Sequence, residues 1–149
     1  MKKIVVLLIL ILFSLCCRKD KDRPVFFPAL KEQVNEHRTG LGLPAFSVNP
    51  SLRDLARKHS YNMASGKIHF GHGGFQSQAN LILKKPGNGN VGENIAMSSD
   101  DAEYTVDSLW LLSPGHKSNI EGIWSFTGIG VCTGNDGYCY YTRLFYKPQ

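Results

Sequence analysis

"LWLLSPGHKSNI", Leu109–Ile120, decides how the chain is read. Leu109, Trp110, Leu111 and Leu112 run without a charge between them, which predicts the end of a buried helix. Ser113, Pro114 and Gly115 then stop that helix, and His116 follows at once. An imidazole is thereby set at the lip of the core. Upstream, "SSDDAEYTVDSLWLL" starts the same helix: Asp100 with Glu103 three residues on has the spacing of a capping box, and Ala102, Val106, Leu109 and Trp110 form its buried side.

Downstream, "GIGVCTGNDGYCYYTRLF" reads as a hairpin about Gly134-Asn135-Asp136-Gly137. Apolar or aromatic residues fall on both faces of its second strand, from Tyr140 to Leu144. A sheet covered on both sides is expected, with helices as the cover. Centring the turn on Asn135-Asp136 sets Cys132 opposite Cys139, where a cross-strand disulfide closes. Its short loop would contribute about 2.5 kcal/mol on the chain-entropy account. The rival reading, half of a zinc site, lacks a second cysteine pair.

The earlier part of the chain is helical. Phe27, Leu30, Val34 and Leu41 share one face of a helix that Gly40, Gly42 and Pro44 end. Asn49 is an N-cap and Pro50 suits the first turn. Leu52, Leu55, Ala56, His59 and Met63 then share a face, and Gly66 stops the run. Ala79 to Leu83 reads as a short helix, and "HFGHGGF" and "KKPGNGNVG" as loops. The fold class is α+β, helices first and hairpin last.

With 149 residues, 42% hydrophobic and 19% charged, the chain suits one packed domain. Met1, Lys2 and Lys3 precede an apolar run from Ile4 to Leu15, too short for an ordinary membrane span and suited to a secretory leader. Cys16, Cys17 and then "RKDKDRP" resemble the end of a bacterial lipoprotein signal, which makes Cys16 and Cys17 candidates for lipidation; a plain cleaved signal peptide is the alternative. The expected organisation is leader 1–17, tether 18–26 and domain 27–149. Export, with membrane anchoring at the cell surface or in the periplasm, follows from it. Loss of Lys2 and Lys3 lowers the formal charge from +5 to +3, and no lysine or arginine stripe with interleaved aromatics appears, so no nucleic-acid partner is expected.

Of the five histidines, His59 falls on the core side of a helix and His37 near a helix end. His72 and His116 sit in glycine-containing segments just beyond apolar ones. "VGENIAMS" adds Glu93 and Asn94. Two histidines and one carboxylate make a sufficient inner set for Zn²⁺ with an open fourth position. The competing reading is three unrelated polar loop residues, because separations of 21 and 23 residues say nothing of proximity.

"LPAFSVNPSLRDLARKHSYNMAS", "FGHGGF", "GENIAMS", "LWLLSPGHKSNI" and "TGIGVC…YYTRLF", in this order, resemble the CAP superfamily of cysteine-rich secretory, antigen five and pathogenesis-related (SCP-like) proteins, from about Leu30 to Phe145. The resemblance implies an α-β-α sandwich with a central antiparallel sheet. It also implies a cleft lined by two histidines and two acids, matched here by His72, Glu93 and His116. The second acid, near Leu111 or Leu112 on the family pattern, is missing. Family members with both histidines bind a divalent metal, usually zinc; others bind sterols or fatty acids, or act on other proteins. The expected function is a non-catalytic binding module for a protein, lipid or polysaccharide partner, with Zn²⁺ as the candidate metal. The alternatives are a zinc-assisted hydrolase of peptidase or esterase type with Glu93 as general base, and a sterol or fatty-acid carrier using apolar residues such as Ile82 and Leu83.

Overall fold

β3, Cys139–Pro148, organises the domain, because every residue from Cys139 to Tyr146 is buried. A strand buried on both faces must be central and covered twice. The computed structural model, which describes residues 26–84, 88–99 and 102–149 and the side chains from Pro28 onward, shows both conditions. β1 (Gly89–Ser98) and β2 (Phe126–Thr133) flank β3, each antiparallel to it, in the order β1-β3-β2. The leader with Cys16 and Cys17, the tether up to residue 25, Asp100 and the Phe27 side chain lie outside the described residues. No described helix is long and apolar enough to cross a membrane.

One face of the sheet carries α2 (Pro50–Ala64) and α3 (Phe75–Lys84). Asn49 begins α2 as expected: its Oδ1 accepts from the Ser51 and Leu52 backbone N–H groups, and Pro50 takes the first position. Leu52 and Ala56 pack with Ile82, Leu144 and Tyr146, while Met63 packs with Ile95, Cys132 and Tyr140. Gly128 and Gly130 make this close approach feasible. A Cβ on Gly128 would meet the Leu52 carbonyl carbon at 2.1 Å, and one on Gly130 would meet that of Ala56 at 2.3 Å. Only a strand lacking those side chains can take the α2 backbone against it.

The opposite face carries α1 (Phe26–Gly40), α4 (Ala102–Tyr104) with its π-helical continuation Thr105–Trp110, and α5 (Pro114–Glu121). Leu30, Val34, Trp110, Ile120, Tyr141 and Phe145 form its core. Full burial of each such side chain contributes roughly 1.5–3 kcal/mol. The result is the α-β-α sandwich of the α+β class that the motifs implied.

Four local expectations differ from the structure. The last four residues of "KKPGNGNVG", read as loop, open the edge strand β1, which "GENIAMS" continues; its half-polar sequence hides a strand whose register partners lie 41 to 59 residues away. Leu41 is 55% exposed, since α1 has ended and Gly42 turns the chain with φ of 74°. His116 lies in the first turn of α5, because Ser113 and Pro114 end one helix and begin another.

The register that was expected to set Cys132 opposite Cys139 is not the one observed. The register pairs Cys132 with Tyr140 and Thr133 with Cys139. Asp136 Oδ1 accepts from the Tyr138 N–H and Gly137 adopts a φ of 87°, giving a loop from Gly134 to Tyr138 instead of a two-residue turn. That one-residue offset sends the two thiols to opposite faces of the sheet. Cys139 packs with the α1 side and Cys132 with the α2 side.

Candidate functional site

The site forms along the open edge of β1. Glu93 and Asn94 are successive strand residues, so their side chains leave by opposite faces. Glu93, opposite Leu144, goes toward α2, and Asn94, opposite Arg143, toward α5. Gly92 before them lets α5 and the loop after it close in: a Cβ there would meet Asn119 Oδ1 at 3.0 Å and the Trp124 ring at 3.1 Å.

The edge carbonyls of β1 are bound by side chains from the neighbouring helices. Trp110 Nε1–H donates to the Ile95 carbonyl at 3.0 Å, and Asn119 donates to the Glu93 carbonyl at 3.3 Å. Asn119 also donates to Asn94 Oδ1 at 2.9 Å, and Asn94 in turn donates to the His116 carbonyl at 2.9 Å. The other end of α5 is held by the buried Arg38, whose guanidinium donates to the Ile120 and Gly122 carbonyls. His37 Nε2 lies 2.9 Å from Glu121 Oε1. These bonds set the position of His116.

His72 comes from the loop between α2 and α3, whose turns use Gly71 and Gly74 at φ of 152° and 88°. Its Nδ1 lies 2.8 Å from Glu93 Oε1. Since a carboxylate only accepts, Nδ1 carries the proton and donates. The His72 side chain is 54% exposed and that of Glu93 only 1%, so the carboxylate is the floor of the cleft and the imidazole its wall. The His116 ring stands 6.2 Å from that of His72, centre to centre, at 50°. Thus His72, Glu93 and His116, separated by 21 and 23 residues, meet in one place.

His116 Nδ1 is buried and has no hydrogen-bond partner among the described residues. Burial pushes its pKa below the ordinary 6.5; interaction with the Leu109 backbone opposes this, and nearby His72 adds to it. The position of the missing second acid is apolar, with Leu112 turned to solvent. Asn94, named with Glu93 in the sequence, takes its place here as the clamp on the His116 carbonyl, whereas His59 was not expected. His59 is 3% exposed, with Nε2 3.9 Å from Glu93 Oε2. Its apolar helical face hid that role, because α2 positions face either the core or the cleft floor with the same periodicity.

The donor chemistry suits a borderline ion such as Zn²⁺ through two imidazoles, with Glu93 behind His72 as its hydrogen-bond acceptor. Among the described residues no three His, Cys, Asp or Glu side chains form a ready metal cage. Two imidazoles sharing one tetrahedral ion have ring centres about 5 Å apart. The observed spacing is wider, so His72 and His116 must draw together to share an ion.

Comparison with known proteins agrees with this architecture. The family model described as the cysteine-rich secretory protein family (CAP) matches residues 31–145. An outer surface protein of Borrelia burgdorferi superposes with a TM-score of 0.69 at 20% identity, over 85% of this chain and 96% of that one. An extracellular protein containing an SCP domain from Bacillus anthracis gives 0.62 at 24% identity, over 86% of this chain and 43% of that one. A cysteine-rich secretory protein from Staphylococcus aureus gives 0.62 at 21%, over 83% and 38%. At these identities the likeness concerns the fold, and against the last two the chain spans less than half of the other's length. No curated protein sequence matches. The family match over most of the chain, on a sandwich whose edge strand, one loop and one helix start bring Glu93, His72 and His116 together, places this protein in the cysteine-rich secretory protein (CAP) family.

Proposed function

We propose that the protein is a non-catalytic CAP module displayed outside the cell, and that its cleft captures a partner through a divalent metal held by His72 and His116. The observation that carries this is the convergence of the two imidazoles over Glu93, with His72 Nδ1 already occupied by the carboxylate. Glu93 bonded to Nδ1 leaves Nε2 as the donor that His72 presents. Zn²⁺, when bound there, would supply Lewis-acid positions that two protein nitrogens leave open to a partner's oxygen or nitrogen. The non-catalytic reading rests on Glu93 being buried and engaged by His72, and on the apolar residues where a second acid would be needed for paired acid–base work. Calorimetric titration of Zn²⁺ into the protein is expected to show one site that is lost in a His72→Ala, His116→Ala double variant. Equal affinity in both would remove the metal.

Export is supported by the leader and by the outer-surface and extracellular nature of the structural neighbours. Anchoring through Cys16 or Cys17 is part of the same proposal. Palmitate labelling of the precursor should disappear when both become serine.

One observation favours a second reading, a carrier of an apolar ligand. A cavity of about 580 Å³ opens between α2, α3 and the sheet, lined by Leu52, Leu55, Leu81, Ile82, Phe126 and Tyr146. It shares no residue with the histidine cleft. Mass spectrometry of organic extracts from the purified protein decides it: a stoichiometric lipid supports the carrier, and none removes it.

A further inference from the structure

Glu93 presents an unsolved problem at its second oxygen. Oε1 accepts from His72, but Oε2 is buried with no hydrogen-bond partner among the described residues. A buried carboxylate held at one oxygen alone is free to turn about its last torsion, which is broad. Turning would break the bond that fixes His72. Some other group must hold it.

His59 is placed to do so. It rises from α2 beneath the cleft, and its Nε2 lies 3.9 Å from Glu93 Oε2 and 3.2 Å from the Gly71 carbonyl. Both neighbours are acceptors, so Nε2 carries a proton; it donates to the Gly71 carbonyl and faces Glu93 Oε2 from beyond hydrogen-bond length. Gly71 immediately precedes His72 in the chain. The same N–H therefore ties down the loop that carries His72 and faces the carboxylate that His72 contacts. Behind His59, the Gln78 amide nitrogen lies 2.6 Å from Nδ1. Gln78 belongs to α3, the helix on the far side of that loop. The loop is thus gripped at Gly71 and again from α3, with one buried imidazole as the hub.

We propose that His59, backed by Gln78, is a positioning residue of the cleft: it holds the Gly71 carbonyl and turns its N–H dipole toward the Glu93 carboxylate, so that His72 donates from Nδ1 and presents Nε2 to the ligand. His59 touches no ligand itself. This accounts for a buried imidazole on the side of α2 that packs Leu52, Ala56 and Met63. The inference rests on the cleft reading for its consequence in binding, though not for its structural content.

The test separates the two. Long-range ¹H–¹⁵N correlation on the metal-free protein at pH 8 reads the His72 tautomer directly. The wild type is expected to show the Nδ1–H form, and His59→Gln, which retains a donor, to keep it. His59→Leu is expected to move His72 toward the Nε2–H form and to weaken Zn²⁺ binding by about 10- to 100-fold. Should His59→Leu fail to fold, Gln78→Leu leaves His59 in place without its backing and is expected to shift the tautomer in the same direction. An Nε2–H tautomer in the wild type, or an unchanged tautomer in the folded variants, overturns the inference. If the wild type binds no zinc, the metal reading falls while the tautomer series still decides the role of His59.

Discussion

His116 shows how a single side chain reports its surroundings. Its pKa lies below 6.5 in the folded protein, first because of burial and then because His72 stands near. The unfolded chain takes up this proton near pH 6.5, and the folded one only at lower pH. The contribution of His116 to stability is therefore fully present above about pH 6.5 and is lost as the pH falls through the folded value. Denaturant unfolding between pH 7.5 and 5.5 should show a shallower decline for His116→Asn than for the wild type. Parallel slopes would mean that the imidazole titrates alike in both states. His72 and His116 were legible as site residues because glycines announced their segments. His59 was not, because on a helix one core-facing position looks like another.

Among the elements, α2 and β2 depend on each other most. The alternation of Gly128 and Gly130 with Ile129 and Val131 was readable as a strand, but its purpose was not: the missing side chains leave the groove in which α2 lies. A Gly130→Ala variant is expected to lose about 1–3 kcal/mol in urea unfolding, since its methyl group meets helix backbone and not a side chain that can move aside. A neutral result would show that α2 can shift without cost. Caps, turns and helix faces lay open in the sequence because their signals are local: Asn49-Pro50, Gly66 and the Leu30–Val34 stripe all stand as read. β1 and the hairpin register were obscure for the opposite reason. "GENIAMS" becomes a strand only by pairing with residues 139–148, and the pairing of Cys132 turned on one extra residue in a loop.

At the scale of the whole molecule, the α1 side of the sandwich holds two buried cations and one aromatic ring between them. Arg38 lies 3.6 Å from the centre of Phe46 and Arg143 5.1 Å from it. Arg38 is repaid by three backbone carbonyls. Arg143 is wholly buried, donates from Nε to Thr127 Oγ1, and has no hydrogen-bond partner among the described residues for either terminal nitrogen. Burial, with Arg38 adding its charge, pushes its pKa down to about 9. Such a group destabilises the fold that encloses it. Arg143→Met is accordingly expected to raise the melting temperature, and a fall would show that an acceptor serves the guanidinium in solution. The flank of β1 carries a different consequence. An outermost strand ordinarily offers a row of vacant acceptors to any extended segment that drifts by, and crowded copies then stick ladder to ladder. Here an indole and an amide have already spent those acceptors at Ile95 and Glu93, so the groups that shape the histidine cleft also keep neighbouring molecules from zipping onto the sheet.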